Sequence, residues 1–143
     1  MRSERRTPLD APPEAVWAAL RQVERYRSWW PWLRSFDGRS LATGERWACS
    51  VQPPLPYRVR FTIDLVDVVE AGHVTASIGG DVAGTARLDL VPLGAGTELQ
   101  LTAELRAATR WLRQVERWAH PVARFGHDRI IDRALGQLAE RVR

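Results

Sequence analysis

An α+β fold, in which an antiparallel sheet is covered on one face by a C-terminal helix, is what this sequence predicts, on three observations. Apolar residues recur at helical spacing soon after the start, alternate with polar ones from Gly44 to about Ala107, and return to helical spacing in the last third. A sheet with one apolar face needs a cover, and the last third supplies it.

The first helix is announced by Asp10, Ala11, Pro12, Pro13 and Glu14, because proline is tolerated and acid is favoured in a first turn. Val16, Ala19, Leu20 and Val23 then share one face, which predicts a helix from about Pro12 to Glu24. The stretch RYRSWWPWLRS follows, with Trp29, Trp30 and Trp32 around Pro31. Pro31 has no N–H to donate and pushes its predecessor toward extended geometry, so the tryptophans belong at a helical corner or in a short second helix. The expectation is that one indole seals the core and another borders an opening, with Trp30 inner and Trp32 at the rim.

The alternating region reads face by face. Trp47, Cys49 and Val51 point one way; past the turn QPPLP, Tyr57, Val59, Phe61, Ile63 and Leu65 alternate with Arg58, Arg60, Thr62 and Asp64. Val74, Ala76 and Ile78 follow, then Ala86, Leu88 and Leu90, then Leu99, Leu101, Ala103 and Leu105. Turns are expected at EAGH, GGD and GAGT, where glycine takes positive backbone angles without steric cost. About five strands in an antiparallel meander result. Beyond them, Trp111, Val115, Trp118, Val122 and Phe125 precede Ile130, Ile131, Ala134, Leu135, Leu138 and Val142. Pro121 divides this region into a helix from about Thr109 to Ala119 and a longer one from Pro121 to Val142.

Composition limits the function. A chain of 143 residues with 45% apolar and 27% charged residues is the size of one globular domain. No apolar run reaches the roughly 20 residues of a membrane-spanning helix, and MRSERRTPLD has no apolar core for a signal peptide, so the expected location is cytoplasmic. All 21 basic side chains are arginine, but acids are interleaved with them and the formal charge is only +4, so no nucleic-acid partner is expected. The lone Cys49 reads as a small apolar filler.

Catalytic motifs are absent: there is no GxSxG and no HExxH. His73 follows a turn, and His120 and His127 stand seven residues apart, too few ligands for a metal site, so no metal and no cofactor are expected. His127 is the sharper of the three, because it precedes Ile130, Ile131 and Ala134 on the face the sheet should cover. Its plainer role is a capped or partly exposed histidine paired with Asp128 or a backbone group. Its chemical role would be a base drawing a proton from between two carbonyls, with Tyr57 or a buried water steadying the enolate oxygen.

APPEAVWAAL, YRSWWPWL, TGERW, GGDVAGTARLDL and GAGTELQL, in that order and spacing, resemble the polyketide cyclase/dehydrase-like branch of the START and Bet v 1-like (SRPBCC) superfamily. The resemblance spans nearly the whole chain. It implies a single domain over residues 1–143 and a helix-grip fold: a curved antiparallel sheet wraps a long C-terminal helix, two short helices close one end, and an apolar cavity lies between. It also implies a full strand before the first helix, for which RSERRTPLD offers only Thr7 and Leu9, so that strand is expected to be short or frayed and the exposed edge open to a second copy. Monomer and homodimer both stay open.

The inward set mixes large residues with Ala76, Ala86 and Ala103, which leaves room for a pocket of roughly 300 to 1,000 Å³. The expected ligand-binding residues are Trp30, Trp32, Trp47, Tyr57, Phe61, Ala76, Ala86, Leu88, Leu101, Ala103, His127 and Ile131. Three functions fit: binding a small hydrophobic molecule such as a lipid or polyketide, polyketide cyclisation or dehydration through His127 and Tyr57, or partner binding like that of ribosome-associated members through Arg110, Arg113 and Arg117. Of these, ligand binding asks least of the sequence.

Overall fold

The computed structural model describes residues 2–52, 58–118 and 132–139. Its strands in chain order are β1 (Arg2–Leu9), β2 (Leu33–Phe36), β3 (Arg46–Val51), β4 (Val59–Val69), β5 (His73–Gly80), β6 (Val82–Leu93) and β7 (Gly96–Ala107). Helix α1 (Pro13–Leu20), a 3₁₀ turn (Val23–Arg25) and α2 (Tyr26–Trp29) connect β1 to β2, α3 (Arg110–Trp118) follows β7, and residues 132–139 are helical. The strands form one curved antiparallel sheet in the order β1-β7-β6-β5-β4-β3-β2. The α+β architecture with a curved antiparallel sheet is therefore present and fits a helix-grip, with two strands more than the alternation suggested; of the helix expected from Pro121 to Val142, all but residues 132–139 lies outside the described residues.

The two extra strands are the outer ones. β1 pairs with β7 without interruption from Arg2 opposite Glu104 to Leu9 opposite Thr97, so the expectation of a frayed first strand is corrected. Its burial alternates although its hydrophobicity does not: Ser3 and Leu9 are buried, Arg2, Glu4, Arg6 and Pro8 exposed. Backbone pairing, not apolar content, carries this strand, and Pro8 is tolerated because an edge strand has a free side. β2 is short and lies in the tryptophan-rich stretch, where no alternation marks it; Leu33 pairs with Val51 and Phe36 with Cys49.

The expected helix over 12–24 is broken. α1 ends at Leu20, the 3₁₀ turn brings Val23 inward, and α2 adds one turn before Trp30. Val16, Trp17, Leu20 and Val23 are buried. The Tyr26 hydroxyl donates to the Leu20 carbonyl, which ties α2 back across the break and satisfies a carbonyl at the end of α1.

All three expected turns are present. In the first of them Ala71, not Gly72, takes the positive φ of 55°, a conformation uncommon for a residue with a Cβ. Gly84 is the glycine the sheet needs most: its φ is +152°, and a Cβ there would stand 1.9 Å from the Glu104 carbonyl oxygen. β6 and β7 could not approach so closely with any other residue at that point.

A bulge after Leu65 reverses the alternation of β4, because Leu65 pairs with Ala76 while Asp67 pairs with Thr75. Val66 is left 60% exposed and Val68 turns toward the core. The Val68 N–H donates to Thr43 Oγ1 at 2.9 Å in the segment before β3. In α3 the inward residue is Leu112, whereas Trp111 is 38% exposed, which corrects its placement on the apolar face. Residue 112 lies one position round the helix from 111, about 100°, and that suffices to exchange the two.

Candidate functional site: the inner face of the sheet

Strand register places the inner side chains in rows that cross the sheet. One row runs Arg5, Leu101, Leu88, Val74 and Val68; the next runs Ser3, Ala103, Ala86, Ala76 and Leu65; a third runs Leu105, Gly84, Ile78, Ile63 and Trp47. The middle row is made of small side chains over four consecutive strands. Leucines, valines and isoleucines flank it on both sides. Short side chains set between longer ones make a surface that is concave at side-chain level.

At the β2 end the same face becomes aromatic. Tyr26, Trp29, Trp30, Phe36 and Trp47 form a connected cluster, with Tyr26 centroids 4.8 Å from Trp30, 5.5 Å from Phe36 and 5.9 Å from Trp47. Trp30 lies nearly parallel to Trp32, at 24° and 5.8 Å. Trp29 is the buried indole of the three, while Trp30 and Trp32 are half-buried, so the inner position expected for Trp30 belongs to Trp29. The reason is spacing: Trp29 follows Tyr26 by three residues within α2 and shares its inward side, whereas Trp30 already leaves the helix with ψ of 89°.

The helical segment 132–139 is anchored on both sides of this face. Asp132 accepts a 2.9 Å bond from Arg5 Nε on β1, and Gln137 Oε1 accepts one of 3.2 Å from the Trp32 indole N–H. Leu135 and Leu138 are buried, as their helical spacing predicts. Other polar groups of the corner are matched locally: Trp47 Nε1 donates to the Ser40 carbonyl at 3.0 Å, and the Ser35 and Ser50 hydroxyls meet at 2.7 Å. Two buried side-chain polar atoms among the described residues have no partner, Trp30 Nε1 and Thr109 Oγ1.

Cys49 and Tyr26, two titratable groups of the described face, are held in their neutral forms by burial. Cys49 is buried between Phe36 and Phe61, its pairing neighbours on β2 and β4, and its thiol is pushed up to about 12 by burial first and by Asp37 second. A thiol so placed is inert, which agrees with its reading as a filler. Burial likewise raises Tyr26, with a smaller contribution from Glu24, so the phenol stays protonated and a donor. Among the described residues no group of three or more His, Cys, Asp or Glu could hold a metal ion.

Of the residues expected at the site, Trp47, Phe61, Ala76, Ala86, Leu88, Leu101 and Ala103 all lie on the inner face, with Trp30 and Trp32 at its aromatic end. Tyr57, His127 and Ile131, and with them the catalytic candidates His127 and Tyr57, lie outside the described residues. Trp29, Arg5 and Gln137 were missed. The Tyr26 to Trp29 spacing could have signalled the first; no local pattern signals the other two, whose partners are distant in sequence.

A separate depression of about 370 Å³ lies on the opposite face of the sheet, lined by Arg2, Val66, Thr75, Ser77, Thr85, Arg87, Thr102 and Glu104 among others. Its lining mixes these polar side chains with Val66, and Ala76 and Ala86 of the inner row border it as well.

The whole chain, residues 1–143, matches the family model described as polyketide cyclase / dehydrase and lipid transport. Among solved structures, the chain is similar to TTHA0849 from Thermus thermophilus at 16% identity and a TM-score of 0.77, covering 99% of this chain and 97% of that one. Ms6760 from Mycobacterium smegmatis gives 14% identity and a TM-score of 0.75, over 99% and 90% of the two chains. CV1439 from Chromobacterium violaceum gives 17% and 0.67, over 99% and 96%. At these identities the likeness is one of fold. Among curated proteins none matches by sequence. No helix among the described residues is long and apolar enough to cross a membrane.

Proposed function

The chain belongs to the polyketide cyclase/dehydrase and lipid transport family, and on that premise we propose that it binds a small hydrophobic molecule, lipid or polyketide-like, between the inner face of the sheet and the C-terminal helix. The observation that carries this reading is the row Ala103, Ala86, Ala76, with Leu101, Leu88 and Val74 on one side and Leu105, Gly84 and Ile78 on the other. Filling a packed core is better done by large side chains, and three alanines abreast on neighbouring strands cost burial that a bound guest restores. Leu88, Leu101, Phe61 and Trp47 serve as walls, and Trp30 and Trp32 border the entrance.

Titration with the fluorescent apolar probe N-phenyl-1-naphthylamine, beside native mass spectrometry of freshly purified protein, tests this reading. Saturable one-to-one binding, with displacement by a fatty acid or an aromatic polyketide, is the expected result. A protein that carries no apolar companion and binds neither the probe nor either competitor has a filled interior, and the reading fails.

A further inference from the structure

The unpartnered Trp30 N–H identifies a second property of the guest, on the reading that the inner face binds one. Trp32 donates its indole N–H to Gln137, and Trp47 donates its own to the Ser40 carbonyl. Trp30 lies between Tyr26 and Trp32, and its Nε1 is buried without a partner. A buried donor left unmatched is costly, and folded proteins pair the great majority of such groups. A phenylalanine would keep an aromatic ring between Tyr26 and Trp32 without that cost. The other unpartnered atom, Thr109 Oγ1, belongs to a hydroxyl beside the start of α3.

We propose that the Trp30 N–H is the specificity donor of the site, and that the ligand is an apolar molecule carrying an oxygen acceptor, such as a carbonyl, which seats on that N–H. The indole is fixed by neighbours on two sides, so the donor direction is set before the ligand arrives, and little ordering is lost on binding. An otherwise identical hydrocarbon leaves the donor unmatched and binds less well. Sites built to bond a polar atom discriminate against analogues lacking it more strongly than apolar walls discriminate by size.

The test compares 1-acetonaphthone with 1-ethylnaphthalene, which share their shape and differ in the carbonyl oxygen. Wild-type protein is expected to bind the ketone about fivefold more tightly, the scale of one net hydrogen bond, and Trp30→Phe to remove that difference while still binding both. In ¹H–¹⁵N spectra of the wild type, the Trp30 indole resonance should move on adding the ketone and stay in place with the hydrocarbon. This second reading needs no variant and holds if Trp30→Phe folds poorly. Equal affinities with an unmoved resonance, as a buried water on Trp30 would give, overturn the inference and leave hydrophobic binding standing. If neither naphthalene binds while N-phenyl-1-naphthylamine does, the inference is likewise overturned; if no probe binds, the ligand reading falls and this one with it.

Discussion

The aromatic corner and the alanine row occupy one face of one sheet, yet they are built on opposite principles. At the corner, Tyr26, Trp29, Phe36 and Trp47 interlock at centroid distances of 5.2 to 5.9 Å, and the phenol, the Trp47 indole and the paired serines find protein partners. In the middle of the sheet, the short side chains of Ala76, Ala86 and Ala103 stand side by side. On the proposed reading the contrast is a division of labour: one region stabilises the fold with large, mutually packed rings, and the other gives up packing in favour of a guest.

The contrast breaks most visibly at Tyr26. Tyr26→Ala removes the ring at the centre of the cluster and the hydroxyl that ties α2 to α1, and should cost about 3–5 kcal/mol, read from urea unfolding midpoints. A loss below about 1 kcal/mol would mean that the corner is not the stabilising region.

A smaller effect is expected at Cys49, on the corner's edge. Its folded pKa of about 12 lies above the ordinary value of 9.0, so burial of the neutral thiol stabilises the fold fully below pH about 9 and loses that stabilisation as pH rises toward 12. At pH 10 wild type should have lost about 1.4 kcal/mol more, relative to pH 8, than Cys49→Ala does. Parallel pH profiles for the two proteins would show that the thiol is not held in a dry environment.

The smallest change in stability, and the sharpest test of the contrast, is Ala86→Leu. Added methylenes in a filled core force strain of about 1–3 kcal/mol, whereas in an open site they meet space. Stability is expected to stay within about 1 kcal/mol while affinity for N-phenyl-1-naphthylamine falls at least tenfold. A strongly destabilised variant would place the alanine row in a packed core.

How much of this was legible follows from where the signal lay. β3 to β7 declared themselves because each alternates over at least three pairs of residues and each turn carries glycine or a polar residue. β1 did not, because its inward residues include Ser3, Arg5 and Thr7, which look like solvent-facing residues until β7 is laid beside them. β2 is four residues long and lies among tryptophans whose spacing suggested a helix. The bulge at Val66 was invisible, since alternation in sequence says nothing of a residue inserted against a partner strand. For the candidate site, the inner-face residues from Trp47 to Ala103 were legible from alternation alone.

Periodicity and turn chemistry are local properties of the chain, and for that reason the α+β class, the inward faces of five strands and the three turns could all be read before any strand was paired; the family came from the resemblance of five short strings in order. Folding settled the rest: which alanines stand abreast, which of three clustered tryptophans is buried, and that Arg5 meets Asp132 and Trp32 meets Gln137. Register and long-range pairing fix those, and they arise only when distant segments settle against one another and satisfy each other's polar groups.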